Sequence, residues 1–384
     1  MSWKQIPCSI YRGGTSKGLF LCGIDLPVDP DIRDRTILSL FGSPDSKQID
    51  GLGGATPTTS KLAIVEVSNR PDADVDYTFG QVSIDKASID YKPNCGNISS
   101  AVGPFALRQG MVEAAADGFL SVRIYNTNTN SIIVSRFKVE NGQFVIDGDT
   151  EIPGVPGSGS PIYLDFFDEG GGVTGSLFPT GNRTDFIRLT DGSSFHVTII
   201  DVGNLTVIMD GDELGFSGTE VTEDEMRPML TKMENIRVAV GRMIGLFADD
   251  EIVAPSTHAL PKIAIIQSPK DYRTTMGKQV ASSEYDIAAR VLTMGKLHPT
   301  YAVTGGIALS ASSKFPDTLT YKKCSFASKE RSHLKIGHPA GILEMEAQVS
   351  NVLEPKVEKV TLIRTARPLM EGQALVPECK EVVS

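Results

Sequence analysis

Pro93-Asn-Cys-Gly-Asn-Ile-Ser-Ser100 runs on into Ala101-Val-Gly-Pro-Phe-Ala-Leu-Arg108, and the composition of that stretch decides the fold. Residues 98–108 read as a helix built of serine, alanine, glycine and valine. Small residues on every side let other backbones approach closely, so this helix is expected inside a sheet rather than on a surface. Pro104 is expected to kink it or to mark its restart. Cys95 falls in the turn that opens the helix. A thiol there meets free backbone N–H groups and the positive end of the helix dipole, and both favour thiolate. By residue type alone, a single cysteine is as readily a small buried hydrophobe.

A second stretch stands upstream, Gly51-Leu-Gly-Gly-Ala-Thr-Pro-Thr-Thr-Ser-Lys61, followed by the apolar run Leu62–Val65. Lys61 therefore ends a glycine-rich loop at the edge of an apolar region. Partial desolvation there makes a neutral amine available as a base; a solvated lysine at a strand start is the plainer alternative. The loop itself, and the turn Arg12-Gly-Gly-Thr-Ser-Lys-Gly18, offer N–H groups and hydroxyls of the kind that hold carboxylate or phosphate oxygens. Neither turn fits G-x-x-x-x-G-K-[ST], and no G-x-G-x-x-G follows a strand, so nucleotide binding is disfavoured. Lys61 and Cys95 together make a plausible proton-transfer pair.

The chain has 384 residues, room for two domains. Its net charge is 37 − 47 = −10, with no basic cluster, which disfavours a nucleic-acid partner. Met1-Ser-Trp-Lys-Gln5 leads straight into a strand pattern without a signal peptide, and no apolar stretch approaches the ~20 residues of a membrane span. The five cysteines, Cys8, Cys22, Cys95, Cys324 and Cys379, follow no framework spacing, so reduced thiols and a cytoplasmic location are expected. The five histidines show no ligand spacing, so no metal site is expected. His298 and His338 are read as possible donors or as ordinary core and loop histidines.

Strand patterns are expected at residues 6–11, 18–22, 62–67, 75–84, 121–125, 131–139, 143–146, 162–167, 195–201, 207–210 and 262–267. Helices are expected at 31–41 with Asp31 as cap, at 222–247, and at 288–295, with a small-residue segment at 303–312. The halves share a rhythm. Ser9-Ile-Tyr-Arg-Gly-Gly-Thr15 before an apolar run and Asp25-Leu26 parallels Thr198-Ile-Ile-Asp-Val-Gly-Asn204 before an apolar run and Glu213-Leu214. The segment Thr304-Gly-Gly-Ile-Ala-Leu-Ser-Ala311 parallels the helix after Cys95. Duplicated α/β domains at 1–182 and 183–384, with the active-site cleft between them, are expected.

Taken in order, Tyr11-Arg-Gly-Gly-Thr-Ser-Lys-Gly18, Gly42-Ser-Pro-Asp45, Lys47-Gln-Ile-Asp-Gly-Leu-Gly-Gly-Ala-Thr56, Thr59-Ser-Lys61 and Asn94-Cys-Gly-Asn-Ile-Ser-Ser-Ala-Val-Gly-Pro-Phe-Ala106 resemble the PrpF-like allylic isomerases, and Pro179-Thr-Gly-Asn182 resembles that family's inter-domain segment. The family includes 2-methylitaconate Δ-isomerase, methylaconitate isomerase, oxalomesaconate tautomerase and aconitate Δ-isomerase. The resemblance implies a diaminopimelate-epimerase-like α/β (α+β) fold, two similar domains each with a curled, mostly antiparallel sheet around a central helix. It implies no metal and no organic cofactor, and a catalytic pair that falls on Lys61 and Cys95. Epimerases of this fold carry a second cysteine at the start of the second-domain helix, where this chain reads Ala302-Val-Thr-Gly-Gly306.

The expected function is a cofactor-independent 1,3-allylic proton shift on a small unsaturated di- or tricarboxylate, with 2-methylitaconate to 2,3-dimethylmaleate as first choice. Methylaconitate or aconitate isomerisation, oxalomesaconate tautomerisation and a non-catalytic accessory role are the alternatives. Thr15, Ser16, Lys17, Gly53, Gly54, Ser60, Gly96 and Asn97 are the expected carboxylate contacts, with Thr304 and Gly305 from the second half. A homo-oligomer, without nucleic-acid or membrane partners, is expected.

Overall fold

The computed structural model describes residues 3–167, 170–254, 258–325, 328–329, 331–350 and 354–377; Cys379 lies outside them. The chain divides into two compact units. The first is Met1–Leu164 together with the chain from Ile363 onward, and the second is Asp165–Leu362. This differs from a cut at 182/183 in two respects: the break comes earlier, and the last strand returns to the first unit. That return has a simple cause, since Ala366–Pro377 pairs antiparallel along the whole of the first strand, from Trp3↔Pro377 to Gly13↔Ala366.

In the first unit β1 (Trp3–Gly13) and β2 (Ser16–Cys22) form a hairpin. A 3-10 turn and α1 (Pro30–Phe41) follow. The cap of α1 is Asp29, whose side chain accepts from Ile32 N, with Pro30 at the first helical position; Asp31 lies inside the first turn instead. β3 (Lys61–Val67) pairs parallel to β2, and β4 (Val75–Val82) antiparallel to β3. Then comes α2 (Gly96–Arg108), and the strand Gly118–Asn126 runs parallel to β4 and antiparallel to Ser131–Glu140.

Both faces of this sheet are covered, as the almost continuous burial of β2 requires. Leu19, Leu21, Leu62 and Ile64 meet Ile37, Leu40 and Phe41 of α1. The alternate residues turn to α2. The Phe20 ring lies 5.4 Å from Phe105, and Tyr11 meets Phe105 edge-on at 5.9 Å. Gly18 has no side chain because one there would stand 2.8 Å from the Lys61 carbonyl and 3.0 Å from Ile98. Every residue of α2 from Gly96 to Ala106 is buried, and the helix passes through Pro104 without a break. Burial from Gly96 to Ala106 offsets the roughly 3 kcal/mol that an internal proline costs.

The second unit repeats this order. Ser194–Val202 and Asn204–Asp210 form the hairpin, with Gly203 alone at its turn, followed by a 3-10 turn. α3 (Glu223–Met243) starts from a capping box in which Thr222 and Glu225 bond each other's backbone. Its Met226, Met229, Met233, Ile236 and Val240, at spacings of three and four, pack on Val207, Met209, Ile263 and Ile265. Lys262–Gln267 pairs parallel to Asn204–Asp210, Ile287–Thr293 antiparallel to it, and His333–His338 parallel to Ile287–Thr293. The buried helix is α4 (Val303–Ser312). The helix expected at 288–295 is thus a strand. All seven of its residues are buried between two neighbours, and a short run buried on all sides carries no period by which helix and strand differ.

Truncating the fully buried Ile265 to Ala should lower the unfolding free energy by about 2–5 kcal/mol in urea titration, whereas the exposed Met276→Ala should change it by less than ~0.5 kcal/mol.

Candidate active site

Lys61 is the first residue of β3 and is 6% exposed. The register sets Gly18 beside it on β2 and Gln81 beside it on β4. Its ammonium donates to Gln81 Oε1 at 2.9 Å and sits 5.1 Å from the centre of the Phe79 ring. Gln81 is held in turn by donating to the carbonyls of Ser60 (3.0 Å) and Pro57 (3.2 Å). The lysine is therefore a fixed group at the edge of the apolar strand, not a solvated one.

Cys95 is the N-cap residue of α2, in extended backbone, and makes no side-chain cap bond. Its own N–H is taken by Asn94 Oδ1 at 2.6 Å. The thiol lies close enough to the wholly buried Tyr77 to act on its titration. Burial first, then the charge of Cys95, hold the Tyr77 hydroxyl well above its usual range, against a pull from Ser99. Tyr77, Phe79 and Gln81 alternate along β4 on the face that carries the Lys61 side chain, so lysine and cysteine belong to one face of one unit.

Around the first turn of α2 the two glycines of the β1–β2 turn are obligatory. A side chain on Gly13 would stand 2.5 Å from the Asn97 carbonyl, and one on Gly14, at φ +48°, would stand 2.2 Å from Asn97 Oδ1. Thr15 is tied to Asn97 in both directions, its N–H to Oδ1 at 3.4 Å and its Oγ1 from Nδ2 at 3.1 Å. Ser16 pairs with Gly13 and is buried, and its hydroxyl makes no hydrogen bond among the described residues. Gly96 and Asn97 form the buried opening of the helix.

The glycine turns themselves behave differently from expectation. Gly14 N and Lys17 N donate to Thr365 and Thr58 carbonyls, both at 2.9 Å. In the longer loop Gly53 N donates to the Phe41 carbonyl, Ala55 N to Gln48 Oε1 and Thr56 N to Thr59 Oγ1. Ser60 spends its hydroxyl on Gln48 Oε1 at 2.7 Å. A chain segment packed this closely must satisfy its own donors. Gly53 and Gly54 serve packing: side chains there would collide with Gln48 and Thr59 at 2.2 and 2.4 Å. Lys17 is half-buried, held by its backbone.

In the second unit Thr304 and Gly305 lie buried in the first turn of α4, whose cap position is Ala302, and Thr304 accepts from Asn204 Nδ2 at 2.8 Å. His298 and His338 are buried with Nδ1 receiving the N–H of Thr300 and Ala340, each at 3.2 Å. Those bonds are local and structural. Sequence reading misses Gln48, Tyr77, Gln81 and Arg364. Gln81 had a faint signal, an amide at the end of an otherwise apolar strand opposite the candidate lysine. The others carry none: Gln48 is an ordinary loop amide, and Tyr77 and Arg364 are ordinary residue types distant along the chain from Cys95 and Asn97.

The protein-family description "PrpF protein" matches residues 3–377. The chain is 42% identical to the 3-methylitaconate isomerase of Eubacterium barkeri, over 98% of this chain and 99% of that one. It is 37% identical to the 2-methyl-aconitate isomerase of Cupriavidus necator, over 97% of each. A crystal structure of a methylitaconate-delta-isomerase superposes with a TM-score of 0.79 at 41% identity, covering 98% of this chain and 96% of that one. A hydroxyproline epimerase from Agrobacterium vitis superposes with a TM-score of 0.58 at 11% identity, covering 98% and 94%, a likeness of fold alone. The fold is therefore of the diaminopimelate-epimerase-like kind. The chain belongs to the PrpF family and is an isomerase.

Replacing Gln81 by Met should cost about 1–3 kcal/mol in a denaturant titration, because the Lys61 ammonium then loses its acceptor.

Proposed function

We propose that this isomerase moves a proton between the ends of an allylic system in a small unsaturated carboxylate, with methylitaconate as substrate and 2,3-dimethylmaleate as product. The observation that carries this reading is a lysine fixed at the start of β3 in the same unit as an uncapped thiol at the start of the buried helix α2, Lys61 and Cys95. The 42% identity to a 3-methylitaconate isomerase over almost the full length of both chains supports the choice of substrate.

In methylitaconate one carbon bears a hydrogen, a methyl group and a carboxylate, and adjoins the carbon that carries the terminal methylene. The base takes that hydrogen as a proton. The electron pair left behind forms the new double bond, the old double bond shifts its pair to the terminal methylene carbon, and the acid protonates that carbon to a methyl group. No electron is lost or gained overall. Between the two transfers negative charge spreads into a carboxylate, and donors fixed beforehand lower the energy of that state more than that of the substrate. Lys61 and Cys95 divide the two transfers between them. Thr15, Ser16, Gly96 and Asn97 are the carboxylate contacts assigned here.

The test is proton NMR in D₂O with methylitaconate, methylaconitate, cis- and trans-aconitate and oxalomesaconate. Migration of the double bond with deuterium uptake is expected for methylitaconate; no migration and no exchange in any of the five would overturn the reading. Cys95→Ser and Lys61→Ala should each lower kcat by about 10²–10⁴-fold, the usual share of a general acid or base. The variant that still exchanges the substrate hydrogen without migration has kept the base, which assigns the two roles. Wild-type turnover in both variants would remove the pair from the chemistry.

A further inference from the structure

Arg364 is wholly buried in the first unit, and burial pulls its guanidinium down to about 10, with no neighbouring charge acting on it. Its Nε donates to Asn97 Oδ1 at 3.2 Å and its Nη1 to the Ile363 carbonyl at 2.9 Å. Nη2 makes no hydrogen bond, and the side chain no ion pair, among the described residues. Two other deeply buried arginines are treated otherwise. Arg290 spends its donors on the carbonyls of Glu220, Ala289, Gly337 and Gly218, and lies over the Phe216 and Tyr272 rings. Arg237 is paired with Glu234 at 2.7 Å. An unpaired buried cation costs several kcal/mol, a cost normally met by an anion.

Beside Asn97, which Arg364 holds, α2 opens with donors that no side chain caps. The N–H groups of Gly96, Asn97 and Ile98, in the first turn of α2, have no capping side chain, and the helix there is buried. The buried Ser16 hydroxyl, also without a partner among the described residues, lies on the same sheet face as Gly18, which touches Ile98. Its pairing partner Gly13 is the residue pressed against the Asn97 carbonyl. The guanidinium thus lies at the end of α2 that begins with Cys95, and the Ser16 hydroxyl stands on the strand pair that packs on that turn.

We infer that Arg364 holds a substrate carboxylate, in an anion subsite completed by the Ser16 hydroxyl and the N–H groups that open α2. The carboxylate sits on the guanidinium through Nη2, while Asn97 Oδ1 fixes the plane of the group through Nε. Placed there, it lies beside the N-cap thiol, and the same donors stabilise it as charge flows into it. That the anion is the reacting carboxylate rests on the isomerase reading; that an anion binds here does not.

The test uses the full chain with methylsuccinate, a saturated dicarboxylate that has no allylic system to isomerise. Arg364→Lys keeps the charge and the stem but loses the fork of donors. It should raise the KM for methylitaconate and the inhibition constant of methylsuccinate together, by about 10- to 100-fold, the range of a charged hydrogen bond. A merely structural role would move the melting temperature and kcat without that parallel rise, and unchanged methylsuccinate binding in a folded Arg364→Lys protein overturns the subsite. Should the variant not fold, a crystal of the unaltered protein with methylsuccinate decides: a carboxylate oxygen at ~3 Å from Arg364 Nη2 upholds the inference, and one bound elsewhere overturns it. Arg364-dependent binding of methylsuccinate with no turnover of any allylic carboxylate would leave the subsite standing and remove the isomerase reading instead.

Discussion

Eleven consecutive buried residues, Gly96 to Ala106, are the constraint on which the first unit turns. A helix buried on every side has no polar face with which to satisfy its surroundings, so its neighbours must give way to it. Gly13, Gly18 and Gly103 do so by having no side chain, since a Cβ at any of them would come within 2.5–2.8 Å of another atom. The helix in turn is made of small residues, which lets the sheet close over it. One consequence falls at its start. With no side chain capping the first turn, the helix ends in donors that face inward, and the residue at the cap position is a cysteine. The thiol is where it is because the helix is buried, and the chemistry assigned to it follows from that position.

Much of this was legible in the chain. The small-residue composition of 98–108 identified a buried helix, and the turn types around Cys95 placed the thiol at its mouth. The lysine at the end of the glycine loop was read as standing at an apolar edge, where the structure fixes it on Gln81. What escaped the sequence is of two kinds. The strand at Ile287–Thr293 reads as helix because seven buried residues leave no period to count. Arg364 escaped for a different reason. Its partner Asn97 is 267 residues earlier, and they meet only because the last strand folds back to pair with the first. Nothing local in an arginine near the end of a strand distinguishes one that is buried and unpaired from one in solvent.

The glycine loops teach a related lesson. Runs of Gly, Thr and Ser are read as cradles because their N–H groups are free in isolation. In residues 51–60 the N–H groups of Leu52, Gly53, Ala55, Thr56 and Thr59 are taken up by Leu40, Phe41, Gln48, Thr59 and Thr56. The loop is only partly buried, and its turns close most of these donors on its own neighbours instead of leaving them open for a ligand. Open donors are therefore expected where something else keeps them open. At the first turn of α2 that something is the absence of a capping side chain, reinforced by a cation whose own donors are not all spent.

The repeat of strand and helix order in the second unit sets the shared scaffold apart from the residues to which chemistry is assigned. The parallel pairing that seats Lys61 beside Gly18 has its counterpart in Lys262 beside Thr206, and both lysines are buried to the same degree. The uncapped buried helix is repeated as α4. The cysteine is not: the cap position of α4 is Ala302. Inverting a stereocentre requires a proton donor and a base on opposite faces of one carbon. A pair of thiols at two equivalent helix mouths meets that need, and a single thiol does not. Moving a proton from one carbon to the next but one along the same allyl system makes no such demand, because one side of the plane serves both transfers. Under the proposed proton shift, the thiol in one copy of the scaffold is sufficient, and the second copy has no need of one.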